Sequence, residues 1–214
     1  MVVRRLVHGL GEVLITLGVV SLLFVVYLVF WTNVRADAAA QTLTDELHQQ
    51  WDAHPHGSSS PGGISLVAGQ PFAIMRIPRL GSHWSSPVIQ GVTLPDLAEG
   101  VGHYPGTAAP GEIGNFAVAG HRRTHGQPFA DLQKLRPGDL VTVETDTDIY
   151  TYVVDNDPNK TIVLPGDVWV IEPVPGKPTA TPTQALLTLT TCNPTWNSSH
   201  RMIVFGHLVS TKVK

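Results

Sequence analysis

The stretch TLTTCNP, Thr188 to Pro194, carries the single cysteine of a 214-residue chain. Cys192 has no internal disulfide partner, so it is either a small buried apolar residue or a nucleophile. A cysteine nucleophile needs a proton partner, and the oxyanion it generates needs a donor. Strict alternation in ALLTLTTC places Leu187, Leu189 and Thr191 on one face of a strand, and Leu186, Thr188, Thr190 and Cys192 on the other. In the next apolar run, RMIVFGHL, Arg201, Ile203, Phe205 and His207 share a face. Residues Asn193 to His200 can join the two runs as a hairpin-like loop, so the spacing predicts that Cys192 and Arg201 meet across the ladder. A guanidinium there stays charged and offers several N–H donors. His121, at the end of the apolar run NFAVAG, is the best proton partner, because a rigid sheet can aim a strand-end side chain at a cleft. Taken singly each residue has a plainer reading: an inert thiol, a solvated arginine, one histidine among ten. Type and spacing suggest a Cys–His–Arg site without establishing it.

The elements that would hold these residues are mostly short strands set between turns. FAIMRI, SPVIQG, GNFAVAGH, DLVTVET, IYTYVVD, TIVL, VWVIEP, ALLTLTT and RMIVFGHLVS give eight or nine of them, which argues for an all-β barrel or sandwich. Two stretches read as helical or turn-like: LPDLAEG, and PFADLQKL with Pro128 at a first helical position. The compact part starts near Pro71, and its roughly 140 residues suffice for one core.

Ahead of it lies a different composition. From Val13 to Trp31 the chain is apolar, broken by Thr16, Gly18 and Ser21. At 1.5 Å per residue this run approaches the roughly 30 Å hydrocarbon core of a bilayer, and Tyr27 and Trp31 suit the interface. Arg4 and Arg5 precede it, which predicts the N-terminus inside and the bulk of the chain outside. A cleaved signal peptide is the competing reading, since ADAAA offers small residues, but the apolar run exceeds a signal h-region and charges separate it from that site. The expected organisation is residues 1–12 as a cytoplasmic N-terminus, 13–31 as a transmembrane anchor, 32–70 as a juxtamembrane helix and flexible linker, and 71–214 as the catalytic domain. The tether is DAHPHGSSSPGG, rich in Pro, Gly and Ser.

Composition narrows the function. The chain is 43% hydrophobic and 14% charged with a net charge of -3, so no basic field points to nucleic acid. No CxxC offers a thiolate metal site. HRRTH places His121 and His125 four apart, but a zincin needs a glutamate after the first histidine, on a helix, and Arg122 stands there instead. No cofactor and no metal is expected; the acidic residues of ETDTDIYTYVVDNDPN read as solvated strand turns. A papain-like hydrolase would place its cysteine before its histidine, at a helix N-terminus. A membrane-anchored β-domain for binding would keep anchor and barrel and have no need of Cys192.

TLTTC followed by an arginine opening the next strand, together with the segment from Gly100 to Thr145 that contains GNFAVAGHRRTHG, resembles the sortases, membrane-anchored cysteine transpeptidases of Gram-positive bacteria. The resemblance covers about Phe72 to Ser210. It implies a closed eight-stranded β-barrel with short helices behind one transmembrane helix, on the outer side of the cell membrane. It further implies Cys192 as the nucleophile that attacks a Thr–Gly bond of a C-terminal sorting signal and holds a thioester. His121 would be general acid and then base, and Arg201 the oxyanion or substrate donor. Thr190 and Thr191 would line the cleft. The implied partners are secreted proteins bearing the signal and an amine of a peptidoglycan precursor. GHYPGTA and the Pro-rich EPVPGKPTATPTQ look most like class E, associated with a Leu-Ala-X-Thr-Gly signal in place of Leu-Pro-X-Thr-Gly; Tyr104 is then the candidate for substrate recognition. The alternative, a pilin-polymerising class C enzyme, often carries an Asp-Pro-aromatic lid motif, which residues 36–70 lack. Without a helix dipole at Cys192, activity is expected from the minority of molecules pairing a thiolate with an imidazolium, giving a bell-shaped pH profile.

Overall fold

The computed structural model describes residues 2–53, 64 and 66–214. Most of the flexible tether expected after Trp51 lies outside the described residues. The strands are β1 (Pro71–Arg76), β2 (Ser85–Gln90), β3 (Val101–His103), β4 (Gly114–Ala119), β5 (Leu140–Glu144), β6 (Asp148–Val154), β7 (Ile162–Val163), β8 (Ala185–Asn193) and β9 (His200–Val213). They form one sheet in the order β6-β5-β1-β2-β3-β4-β8-β9-β7, and β6 also pairs with β9. That extra pairing closes eight strands into a barrel and leaves two-residue β7 hanging on β9 outside the ring. Closure removes the edges an open sheet would expose. The expected closed eight-stranded barrel is the observed one.

The alternation expected in the last two strands holds. Leu187 and Leu189 of β8 join the interior with Met202 and Val204 of β9 and Phe116 and Val118 of β4. Thr188, Thr190 and Cys192 therefore face outward. Phe129, Leu132 and Leu135, from the connection between β4 and β5, are fully buried in the same core.

One expectation needs correction. VWVIEP is not a strand: Val168–Ile171 is a 3₁₀ turn. The Val170 carbonyl accepts from Asn115 Nδ2 (3.1 Å) and Thr188 Oγ1 (3.1 Å), and that of Glu172 accepts from Asn115 Nδ2 (2.9 Å). The segment thus spends its carbonyls on side chains of β4 and β8 and covers their outer face. PFADLQKL is turn-like, as expected, with one 3₁₀ turn at Leu132–Lys134 that goes no further because Arg136 precedes Pro137 and so resists helical backbone. LPDLAEG is the short helix α2 (Leu94–Glu99), closed by a capping box between Thr93 and Asp96.

In the N-terminal region an anchor and a juxtamembrane helix are expected. A single helix, α1, runs from Val2 to Ala53, about 78 Å at 1.5 Å per residue. No Gly or Pro lies between Trp31 and Ala53 to break it. His8–Tyr27 is long and apolar enough to cross a membrane and is unburied by the rest of the chain. Further along, α1 packs on β1, β2 and α2, with Leu47 buried. His48 Nε2 stands 3.5 Å and Lys214 Nζ 2.9 Å from Glu144 Oε1, and Lys214 Nζ lies 4.4 Å from the centre of the Trp51 ring. A cavity of about 550 Å³ remains between α1 and the barrel, reaching Trp84 and His125.

Candidate active site

The strand register brings the three sequence-derived residues to one level. Cys192 of β8 is the direct antiparallel partner of Arg201 of β9. β4 runs parallel to β8 with Ala119 opposite Thr190, and the Gly120 N–H continues the ladder to the Thr190 carbonyl at 3.0 Å. Two residues beyond Ala119 and Thr190, the same register carries on to His121 and Cys192. His121, Cys192 and Arg201 thus lie on three adjacent chain segments at one rim of the barrel. All three side chains are partly buried.

Burial holds the His121 imidazole below its ordinary pKa, and the charge of His125 lowers it further. The two rings stack with centroids 5.1 Å apart and planes at 26°. His121 Nε2 and His125 Nδ1 are buried without a hydrogen-bond partner, which leaves proton-transfer capacity free at a position where buried polar atoms are ordinarily satisfied. His125 was read from sequence chiefly as a metal ligand to be dismissed. Its placement against His121 follows from the turn after β4, where His125 itself takes a φ of 52°.

Arg201 donates from Nη1 to the carbonyls of Ser198 and His200, both at 2.9 Å, so the loop it closes also holds it. Arg122 was missed by sequence reasoning. Its Nη1 donates to the Cys192 carbonyl at 3.2 Å and to Asn193 Oδ1 at 2.6 Å, and its Nη2 donates to Gln133 Oε1 at 3.0 Å. Burial lowers its pKa, while the charges of Cys192 and Asp131 act in the opposite sense. The one signal was its place directly after the candidate histidine.

Tyr104 and Thr190 do meet, with Tyr104 OH 3.1 Å from Thr190 Oγ1. Thr191 does not line the cleft with its side chain. It is 2% exposed, faces inward by the alternation already noted, and donates from Oγ1 to the Gly120 carbonyl at 2.8 Å. That bond ties β8 to the residue before His121. Among the described residues, no group of three His, Cys, Asp or Glu is placed to hold a metal. His103 and His207 are engaged elsewhere, with Gln90, Thr107 and Ala108 and with Asp155 respectively.

Residues 75–209 match the sortase domain family. The chain belongs to the sortase family. Among its relatives, Sortase SrtE1 of Streptomyces coelicolor is 39% identical over 96% of this chain, which spans 58% of that protein's length. Sortase SrtE2 of the same organism is 35% identical over 99% of this chain and 85% of its own. The solved sortase E of Streptomyces avermitilis superposes with a TM-score of 0.62 at 50% identity, covering 69% of this chain and 93% of that one. Sortases are cysteine transpeptidases, and these relatives place the chain with class E.

Proposed function

We propose that this sortase is anchored through His8–Tyr27 with its N-terminus in the cytoplasm and its barrel outside, and that it transfers sorting-signal proteins to a cell-wall amine. The observation that carries the reading is the alignment of His121, Cys192 and Arg201 across β4, β8 and β9 at one barrel rim. Cys192 as thiolate attacks the threonine carbonyl of the signal, and the oxyanion takes hydrogen bonds from Arg201. His121 as imidazolium gives its proton to the glycine nitrogen as the Thr–Gly bond breaks, leaving a thioester on Cys192. The acceptor amine then attacks that thioester, His121 takes its proton, and the thiolate is released. Because burial favours neutral His121, the imidazolium that donates this proton is disfavoured near neutral pH.

Tyr104, hydrogen-bonded to Thr190 two residues before the nucleophile, is the residue we assign to discrimination between alanine and proline in the signal, with alanine preferred. The solved sortase E1 of Streptomyces coelicolor, 35% identical with a TM-score of 0.59 and covering 70% of this chain and 94% of that one, carries a tripeptide in its active site, which supports a peptide as the ligand class here. The test is mass spectrometry of the full chain in detergent mixed with Leu-Ala-X-Thr-Gly or Leu-Pro-X-Thr-Gly peptides. An acyl adduct ending at threonine on Cys192, absent in Cys192→Ala, is expected. A folded protein that forms no adduct and cleaves neither peptide refutes the reading.

A further inference from the structure

We infer that Arg122 is a positioning residue of the transfer reaction: its guanidinium joins the end of β8 that carries Cys192 to the loop that carries His121. The inference rests on the catalytic reading above. One side chain reaches three acceptors in two separate segments, the Cys192 carbonyl and Asn193 Oδ1 on β8 and Gln133 Oε1 on the turn before β5. Its own backbone follows His121, so both ends of the brace sit next to a reacting residue, across a separation of 70 residues in sequence. The far end is itself held: Gln133 Nε2 donates to Asp131 Oδ1 at 3.4 Å, and Asp131 Oδ2 accepts from Lys134 Nζ at 2.7 Å.

The geometry calls for arginine. A planar fork can donate to opposite sides at once, whereas a lysine ammonium is a point charge on one contact. The two arginines of the site divide the work. The hydrogen bonds of Arg201 end on Ser198 and His200, within the β8–β9 loop and at its junction with β9, while those of Arg122 end on the nucleophile's own peptide and on its neighbour. The other charged or titratable groups of this corner are His121, Arg123 and His125 on the same loop, Asp131 and Lys134 beside Gln133, and Arg201 and His200 across the ladder; Arg123 Nη1 donates to the Thr195 carbonyl at 3.4 Å.

Two readouts separate positioning from mere structural support: a split between kcat and KM, and the rate at which iodoacetamide alkylates Cys192. In the full chain, Arg122→Gln is expected to lower kcat about 10- to 100-fold, the range for losing charge-assisted hydrogen bonds, with KM within about threefold. It is also expected to change the alkylation rate, because the peptide that carries Cys192 loses its anchor. Arg122→Lys keeps the charge but not the planar fork, so kcat stays about tenfold down. Gln133→Leu releases one arm without removing the cation, so kcat falls and alkylation holds. An Arg122→Gln variant with kcat and alkylation both within twofold of the parent overturns the inference. If that variant does not fold, an unchanged kcat in Gln133→Leu overturns it instead. A parent that cleaves no sorting peptide defeats the catalytic reading alone, because the alkylation comparison still reports on Arg122.

Discussion

Gly120 is the backbone hinge between β4 and His121, and adding one carbon to it is a severe perturbation. A Cβ at Gly120 would stand 2.4 Å from Cδ2 and 2.8 Å from Cε2 of Phe129, against about 3.5–4.0 Å for relaxed carbon contact. The ring would have to retreat by about 1 Å. It has no room: Phe129 is fully buried and stacks on Trp84 with centroids 6.3 Å apart, and its N–H donates to the His121 carbonyl at 3.0 Å. The backbone is pinned as well, since the Gly120 N–H donates to the Thr190 carbonyl and its own carbonyl accepts from Thr191 Oγ1. Overpacking of this kind costs about 1–3 kcal/mol, or a Tm lowered by about 3–9 °C for a domain of this size. If the backbone yields part of the way, His121 moves relative to Cys192, and a displacement near 1 Å costs about 100-fold in rate. The assay is thermal unfolding and peptide transfer for Gly120→Ala, Phe129→Leu and the double variant. Phe129→Leu should partly rescue Gly120→Ala, giving a favourable coupling of about 1 kcal/mol in the cycle. A Gly120→Ala protein with Tm within about 1 °C of the parent and unchanged kcat refutes this account of the corner.

Three further outcomes are expected. His125→Gln removes the second of the two causes that lower His121, so the apparent pKa that reports His121 in the pH profile of kcat/KM should move up. The two rings stack with centroids 5.1 Å apart, and a profile that stays in place refutes the coupling. His103 is fully buried, and burial holds its folded pKa below the ordinary value against a weaker opposing pull from the Ala108 carbonyl. The unfolded chain therefore binds more protons, so this contribution to stability is complete above the unfolded value of about 6.5 and is lost as pH falls below it. His103→Gln should flatten the acid slope of Tm, and an unchanged slope excludes His103 as its source. Tyr104→Phe deletes the hydroxyl contact to Thr190, worth about 1 kcal/mol. It should change the ratio of kcat/KM for alanine and proline signals about fivefold, and an unaltered ratio removes Tyr104 from selectivity.

What the sequence disclosed follows from which constraints are local. The faces of β8 and β9 were legible because side-chain direction alternates along an unbulged strand, and a two-residue period read from ALLTLTTC fixes where Cys192 points. The pairing with Arg201 was legible because a short loop leaves an antiparallel ladder few registers. Arg122 was not, because its acceptors lie up to 71 residues away and no periodicity encodes a side chain reaching across a barrel rim. VWVIEP misled for a related reason. An apolar run says that a segment is covered, and here Asn115 and Thr188 rather than a neighbouring strand took its carbonyls. The continuity of α1 was open to view in the absence of Gly and Pro after Trp31, but the change in hydropathy at Arg35 suggested a boundary that backbone chemistry does not require.

The chain order His, Cys, Arg is a consequence of the barrel's wiring. β4 and β8 are parallel neighbours, and the chain between them passes through β5, β6 and β7, so both strands finish at the same rim. β9 is antiparallel to β8 and therefore starts at that rim. Two strand ends and one strand start are thus brought side by side by topology alone, and the residue just past β4, near the end of β8 and near the start of β9 must be neighbours. Any reacting trio built there reads in that order along the chain. The rim position also explains why the trio needs bracing. Ladder hydrogen bonds stop where the strands stop, so the last residues depend on side chains for their placement. Thr191 Oγ1 on the Gly120 carbonyl, Arg201 on the carbonyls of its own loop and Arg122 across to Cys192 and Asn193 continue by side chain what the backbone ladder no longer supplies.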